Sequence, residues 1–449
     1  MYMDNHPIPS NPFYQRTPVR TRPLFFGRQR ELNQLYDLVQ KGQSVSLVGP
    51  RRIGKSSLLL QLTHTHTSLS TALAGLQTTF IYLSCDVWQD CSADVIYAAF
   101  GEALTDTLMP VAVGPAVALP NPEMLDYAAF ARHLRTVVQR NQRIVFLLDE
   151  FDSLSRNRYL DETFFSNLRS LASMQAVVFV TASTVSLLDL TYAQQSALSS
   201  PFFNIFLPQR LGLLTEDDAV ALLITLAAQG DLALTAPQIS FLLDLAGPHP
   251  YFLQIAGYHF WEAWQQTGAV DWGWVQREFV DHAFQHWNYQ WRYLAVNDQR
   301  ALALLPATIQ EAPTTIQRLA YACLLRKTNG RVDYLSSAFR DFVRQQVIHD
   351  VIQAGSLVID RQRQSVWVEN VCIALMPQDY KLLEIFATQL NKVLTHLELE
   401  QRLWPAQARN GNQDRLKAAI KSLRTNLGDY AKYIVSERGM GYRFSPNSL

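Results

Sequence analysis

The run Gly49-Pro50-Arg51-Arg52-Ile53-Gly54-Lys55-Ser56 has the spacing G-x-x-x-x-G-K-S, and each fixed residue type has a use toward phosphate. Two glycines let a loop wrap closely enough for its N–H groups to point at an anion. Lys55 supplies a point charge for β- and γ-phosphates, and the Ser56 hydroxyl is a donor for Mg²⁺. Ser44–Val48 ahead of the loop reads as a strand, and Ser57–Leu62 behind it reads as a helix. A chance glycine-rich turn would lack both flanks. Here the helix N-terminus adds its partial positive charge to the cradle. Gly49 through Ser57 is therefore the candidate phosphate site, with ATP the expected ligand and Mg²⁺ the expected ion.

Such a loop needs a scaffold. Four more apolar runs follow: Phe80–Leu83, Ile144–Leu148, Val177–Val180 and the weaker Phe203–Leu207. Helical patterns separate them, as in Asp126–Arg140, where Phe130, Leu134, Val137 and Val138 recur at helical spacing. Alternating β and α, with strands apolar throughout, predicts a parallel sheet covered on both faces. The third run ends in Asp149-Glu150. A carboxylate at a strand tip beside the loop can hold Mg²⁺ through water, and its neighbour can orient and deprotonate an attacking water. Acidic residues also end strands as solvated turn formers. The phosphate loop favours the chemical assignment, with Asp149 on the metal side and Glu150 as base. The fourth run ends in Thr181-Ala182-Ser183-Thr184. Ser183 is the candidate sensor of the γ-phosphate, and capping of the next helix is the alternative.

At 449 residues the chain has room for two to four domains. A hydrophobic content of 48% with 17% charged residues indicates globular rather than disordered protein. Lys+Arg and Asp+Glu are both 39, which excludes a chain-wide attraction to nucleic acid or membrane. The tail departs from that balance: from Gln401 onward nine basic residues face three acidic ones. That local surplus points to a polyanionic partner for this segment alone. Cys85, Cys91, Cys323 and Cys372 show neither paired nor zinc spacing, so reduced thiols are expected. His282 and His286 stand at i,i+4 without a third ligand nearby and read as structural. With no apolar run of transmembrane length and a polar N-terminus, the expectation is a cytoplasmic protein with no membrane partner.

Asn11-Pro12-Phe13, Pro18-Val19 and Phe25-Phe26-Gly27-Arg28-Gln29-Arg30-Glu31-Leu32 resemble the entry of the STAND class of signal-transducing P-loop ATPases, archaeal-type members included. In that family the F-x-G-R-x-x-E-L segment forms part of the adenine pocket, which implies binding roles for Phe26, Gly27 and Arg28. Ala246-Gly247-Pro248-His249-Pro250-Tyr251-Phe252-Leu253-Gln254 is similar to the family's G-G-x-P lid motif, whose proline packs near base and ribose. Pro250 carries that role over, while Pro248 replaces the usual second glycine. The resemblance runs from about Asn11 to Val347. Oligomeric AAA+ motors share the sheet and the Asp-Glu pair. They need an arginine from a neighbouring subunit, usually presented between the fourth and fifth strands. Ser170–Gln209 holds no Arg or Lys, which favours a slow switch over a fast motor. Arg156, Arg158, Arg169 and Arg210 are left as unusual sources.

Residues from about Thr215 to Ala269 read as lid helices, and His282–Trp291 is aromatic-rich in a way that suits core or domain-interface filling rather than a ligand cage. Asn329-Gly330, flanked by Leu324–Thr328 and Arg331–Leu335, is a two-residue hairpin signal. Helices ending in a hairpin suggest a small winged helix, and the family implies that it packs on the ATPase core to report nucleotide state. After Gln353-Ala354-Gly355 come β-rich Leu357–Asp360 and Ser365–Val368, three helical patterns and a final hairpin. Within Asp414–Leu427, Leu416, Ile420, Leu423 and Leu427 form an apolar stripe, with Lys417, Lys421 and Arg424 on another face. Such a helix can bury one side and lay cations into a major groove. On the helix alone, a solvated basic face is the plainer reading.

Ala374–Leu383, Glu400–Trp404 and Ser436–Phe444 resemble, in order and spacing, the OmpR/PhoB-type winged helix over about Ser356 to Pro446. In that family the helix reads the major groove and the R-G-x-G-Y-R-F wing reaches the minor groove. The resemblance implies DNA-facing places for Lys421, Arg424, Thr425 and Arg438, with Lys417 standing where the family often has an acid. The expected class is α/β: a parallel P-loop NTPase sheet of the ASCE type with a helical lid, then two winged-helix modules. Expected boundaries are 1–24 for an N-terminal extension, 25–212 for the core, 213–275 for the lid, 276–352 for the middle winged helix and 353–449 for the DNA-binding domain. The expected function is an ATP-controlled regulator with slow hydrolysis, coupling nucleotide state to double-stranded DNA and transcription. A homo-oligomer is left open, and a DNA-loading ATPase or a sensor acting through protein partners are the alternatives.

Overall fold

Five parallel strands carry the first half of the chain: β1 (Val45–Val48), β2 (Gln77–Ser84), β3 (Gln142–Asp149), β4 (Val177–Ser183) and β5 (Leu207–Arg210). Their order is β2-β3-β4-β1-β5, so β1 lies inside the sheet and the loop after it emerges beside the tips of β4 and β3. Helices α1 (Gln29–Gln40), α2 (Lys55–His64), α3 (Ala93–Leu108), α4 (Tyr127–Val138), α5 (Phe151–Ser155) and α6 (Glu162–Ala172) accompany the strands. Alternate residues of β3 serve opposite layers. Val145 and Leu147 pack with Leu35, Leu58 and Leu62, whereas Phe146 and Leu148 pack with Phe100, Phe130 and Phe164. Burial on both faces is why these strands read as unbroken apolar runs. The computed structural model describes residues 10–13, 17–64, 77–108, 126–138, 142–174, 176–187, 201–268, 270–305, 309, 312–328, 330–346, 351–361, 364–368, 371–405 and 413–446. Asn329 of the expected hairpin lies outside them.

One expectation is corrected. Pro201–Ile205 is a 3-10 helix, and the fifth strand begins only at Leu207. Phe202, Phe203 and Phe206 are buried in an aromatic cluster with Phe165 and Phe179, so their hydrophobicity reports helix-layer packing rather than a strand. The true β5 is an edge strand with a largely exposed surface and a proline, both typical of edges and invisible to a search for apolar runs.

The chain divides into two units, one within residues 1–279 together with Tyr321–Cys323, the other formed by 280–320 and 324–449. The first also contains α7 (Glu216–Gln229), α8 (Ala236–Ala246), α9 (Pro250–Thr267) and the start of α10 (Trp272–Tyr293). Pro250 occupies the first turn of α9, where its missing N–H has no cost, and Gly268 ends that helix at φ 67°. Asn11 and Phe13 dock on α9. Asn11 Nδ2 donates to the Tyr258 carbonyl at 3.0 Å, and the Phe13 ring fills the space a Cβ at Gly257 would need.

In the second unit the end of α10, α11 (Val296–Ala303), α12 (Pro313–Tyr321), the hairpin β6 (Leu325–Thr328)–β7 (Arg331–Tyr334) and α13 (Ser337–Gln345) form the middle module. Trp287 is fully buried against Phe339 and Phe342 and Trp291 is buried as well, so these two fill the core, whereas Phe284 and Tyr289 of the same stretch are exposed. A four-stranded antiparallel meander follows: β8 (Val351–Ala354), β9 (Leu357–Asp360), β10 (Ser365–Val368) and β11 (Val371–Ile373). Arg300 of α11 forms an ion pair with the buried Asp360 of β9. The last domain contains α14 (Pro377–Ala387), β12 (Val393–Thr395), α15 (His396–Leu403), α16 (Gln413–Leu427), β13 (Ile434–Glu437) and β14 (Gly441–Phe444). Its sheet has the order β12-β14-β13. Gly441 must be glycine there, since a Cβ would lie 1.9 Å from the Leu394 carbonyl oxygen. Among the described residues no helix is long and apolar enough to cross a membrane, and the cysteines form no disulfide.

Candidate functional site

The register Val48↔Ser183 puts the start of the phosphate loop beside the tip of β4, and Gly49 N–H donates to the Ser183 carbonyl at 3.2 Å. A Cβ at Gly49 would lie 2.6 Å from the Leu211 carbonyl oxygen, while Gly54 adopts φ 103°, so both glycines are required by backbone geometry. The loop delivers Lys55 to the first turn of α2, buried, with Nζ donating to the carbonyls of Gly49 (2.8 Å) and Pro50 (3.0 Å). Burial lowers the Lys55 pKa below its ordinary value, and Glu150, Asp152 and Asp149 oppose that shift by attraction. The first N–H groups of α2 have no partner within the helix. Together these groups face a cavity of about 450 Å³.

At the tip of β3, Asp149 is buried and held at both oxygens. Tyr82 OH donates to Oδ2 at 2.7 Å and the Glu150 N–H to Oδ1 at 3.0 Å. Glu150 stands at φ 51°, a left-handed conformation that aims its side chain at the cavity wall. Burial raises its carboxyl above the ordinary value, the charge of Asp149 adds to this, and Lys55 opposes it. Ser183 is fully buried and its hydroxyl donates to the Val185 carbonyl at 2.7 Å. The neighbouring Thr184 is gripped through N–H and hydroxyl by Asp152, both at 2.8 Å. The segment that would follow as a helix lies outside the described residues.

Phe26, Arg28, Arg51, Arg52, Ile53, Gly54, Lys55, Ser56, Ser57 and Pro250 line the cavity, as does Glu150, whereas Gly27, Gly49, Pro50 and Asp149 are not among its lining residues. Arg28 has a second task. Its guanidinium is buried and donates to the carbonyls of Gly212 (2.5 Å), Leu213 (3.3 Å) and Ile53 (3.4 Å), and pairs with Glu31. It braces the phosphate loop against the exit of β5 rather than reaching freely for a ligand. Sequence reasoning missed Thr17, Leu24, Leu214, Leu222, Tyr251 and Gln254 as lining residues. They come from four separate segments, and no local spacing joins them. Ser56 and Asp149 offer hard oxygens, which suits an ion such as Mg²⁺ that takes one or two protein donors and completes its shell with phosphate and water. Among the described residues no group of three or more His, Cys, Asp or Glu side chains forms a metal cage.

In α16 the buried stripe is Leu416, Ala419, Ile420, Leu423 and Leu427, as the periodicity predicts with Ala419 added. Lys417, Lys421 and Thr425 share an exposed face, and Arg438 is exposed at the wing turn. Lys417 Nζ lies 3.4 Å from Asp414. Thr425 Oγ1 donates to the Lys421 carbonyl at 2.9 Å. Arg424 Nη2 donates to the Ile434 carbonyl (2.6 Å) and Ser436 Oγ (3.0 Å), so this cation ties the helix to β13. Ser422 and Asn426 both donate to the buried Asp379 at 2.8 Å, which clamps α16 onto α14.

Residues 38–313 match the family profile described as Novel STAND NTPase 2, which covers more than half of the chain. The chain belongs to that family. Residues 370–444 match a second profile, Transcriptional regulatory protein, C terminal, so this STAND NTPase carries an OmpR/PhoB-type winged-helix domain at its C-terminal end. The Walker-type ATPase paby2304 of Pyrococcus abyssi shares the fold of the larger part, with a TM-score of 0.53 at 15% identity, over 74% of this chain and 99% of that one. The transcriptional regulatory protein QseB of Haemophilus influenzae is 33% identical over 96 residues, 21% of this chain and 41% of that protein. The phosphate regulon regulatory protein PhoB of Pseudomonas aeruginosa is 29% identical over 102 residues, 22% of this chain and 42% of that protein. The STAND NTPase thus spans about two fifths of the length of these curated relatives.

Two of the cations of α16, Lys421 and Arg424, should behave differently in this STAND NTPase. Lys421→Ala is expected to leave the fold untouched and to weaken specific DNA binding by roughly 1–3 kcal/mol where it meets a base, less where it meets only phosphate. Arg424→Ala additionally removes the tie to Ile434 and Ser436, so it should lower the melting temperature of the domain as well. Fluorescence anisotropy at two salt concentrations, with thermal unfolding of each variant, separates the two outcomes.

Proposed function

We propose that this STAND NTPase binds ATP with Mg²⁺ and that the nucleotide state controls double-stranded DNA binding by its C-terminal winged helix, making it an ATP-switched transcription regulator. The observation that carries the reading is the cavity wall itself: Lys55, the α2 N-terminus and Glu150 converge there on one space. The same chain ends in a helix that buries one side and exposes Lys417 and Lys421 on another. In this reading Phe26, Pro250 and Tyr251 pack the base and ribose, Arg51 through Ser57 wrap the phosphates, and Lys55 neutralises the β- and γ-phosphates. Ser56 and Asp149 hold Mg²⁺, which supplies charge neutralisation on the phosphate oxygens. Glu150, its carboxyl facing the cavity, takes the proton of the attacking water. The core is 25–212, the lid 213–275, the middle winged helix 276–352 and the DNA-binding domain 353–449.

Slow turnover is supported by the absence of Arg and Lys from Ser170–Gln209 and by ring contacts within the chain at two of the four arginines named as unusual sources. Arg210 stacks on Tyr321 with its guanidinium carbon 3.7 Å from the ring centroid, and Arg158 lies over Tyr159 at 4.9 Å. DNase footprinting on genomic fragments selected by the full chain tests the coupling. Protection should differ between ATP and ADP, and Lys55→Ala should lose that difference. Identical footprints in all three conditions would end the switch reading.

A further inference from the structure

β2 and β3 run parallel with Tyr82 opposite Leu147 and Ser84 opposite Asp149. Even-numbered residues of β2 and odd-numbered residues of β3 face the same layer, because Phe80 and Tyr82 pack with Val145 and Leu147 beside α1 and α2. Tyr82 therefore shares a face with Asp149 and stands two residues short of it along the strand. A phenol is long enough to close that gap, and its OH donates to Asp149 Oδ2 at 2.7 Å. Tyr82, like Asp149, is not among the residues that line the cavity, and its link to the site runs through the Asp149 carboxylate.

We propose that Tyr82 is a positioning residue of the nucleotide site, holding the Asp149 carboxylate in the one rotation that presents its remaining lone pairs to the ion accompanying a bound triphosphate. The inference rests on the ATP reading above and deepens it. An ionised carboxylate has about four lone-pair sites. One on Oδ2 is taken by Tyr82 and one on Oδ1 by the Glu150 N–H. With both oxygens anchored the group does not turn about its terminal bond, and the two open sites keep a fixed direction. Without the phenol, Oδ2 is released and the carboxylate samples rotations in which neither open site faces the phosphates. Outer hydrogen bonds of this kind change metal affinity by about 10–100-fold when lost.

The test uses the full chain, Mn²⁺ as the probe ion and adenosine 5′-(β,γ-imido)triphosphate as a ligand that is not turned over. Tyr82→Phe keeps the ring and its packing while removing only the donor. Free Mn²⁺, followed by electron paramagnetic resonance, should show affinity for the protein–nucleotide complex reduced about tenfold. Nucleotide affinity in EDTA should stay at the wild-type value, and the unfolding temperature should fall by no more than the few degrees that one lost hydrogen bond to a buried carboxylate costs. In an Asp149→Asn background the same substitution should have no further effect on Mn²⁺. Unchanged Mn²⁺ affinity in Tyr82→Phe, or an equal loss in both backgrounds, would overturn the proposal while leaving the ATP reading intact. A wild-type chain that binds no nucleotide under either condition would instead bring down the ATP reading, and this inference with it.

Discussion

Lys55→Ala is expected to abolish nucleotide binding while the protein stays folded. The ammonium is buried at the cavity wall and donates to two carbonyls of its own loop, so a triphosphate arriving there meets a cation already stripped of most of its water. Two charge-assisted hydrogen bonds to phosphate at roughly 1.5–3 kcal/mol each amount to about 3–6 kcal/mol. That corresponds to about two to four orders of magnitude in Kd. The fold loses little, because Lys55 itself lines a cavity large enough for water to take the place of its ammonium. Calorimetric titration with ATP and Mg²⁺ reads the affinity directly. Thermal unfolding adds a second check: ligand at about 100 times Kd stabilises the wild type by roughly 2.7 kcal/mol, and the variant should gain nothing. A Kd within threefold of the wild type would remove Lys55 from the site.

Glu150→Gln should separate binding from chemistry. The amide has the shape of the carboxylate and tolerates the same left-handed backbone at φ 51°, so the β3 tip keeps its form. What disappears is the base, and hydrolysis is expected to fall by about 10²–10⁴-fold. Binding should hold or tighten. The Glu150 carboxyl is raised first by burial and then by repulsion from Asp149, and a triphosphate adds more negative charge to the same place. Removing one carboxylate relieves that crowding. Single-turnover hydrolysis measured beside equilibrium binding decides the matter, and a variant that hydrolyses ATP at the wild-type rate would take the base role away from Glu150. The trapped complex is also the material for footprinting, since it should hold the ATP-state pattern indefinitely.

How legible each part was depended on where its information lies in the chain. The phosphate loop was readable because its chemistry is contained in eight consecutive residues with a strand and a helix attached, and the structure seats them as the spacing predicts. The stripe of α16 was readable for the same reason, since helical periodicity is a local property. The fifth strand was not. Its apolar neighbours Phe202, Phe203 and Phe206 belong to another layer, and the edge strand itself carries no apolar signature. Arg28 shows the intermediate case. Its place in a motif marked it as important, but its partners Ile53, Gly212 and Leu213 lie in two other segments, so its bracing role appeared only with the fold. Arg424 is similar: its spacing suggested a groove-facing cation, and the contact with Ile434 and Ser436 gives it a structural task as well.

The amino-acid order alone pointed to the phosphate loop, the acidic strand tip and the amphipathic helix of the last domain, because each rests on residues within one or two turns of each other, and to the parallel α/β class, because the alternation of apolar runs and helical patterns repeats along the chain. Only the folded chain decided that Tyr82 would meet Asp149, that Asp152 would grip Thr184, and that Thr17, Leu222 and Gln254 would share one cavity wall. Those pairings depend on sheet order and register. They are set by burial summed over whole layers, which no short window of residues contains.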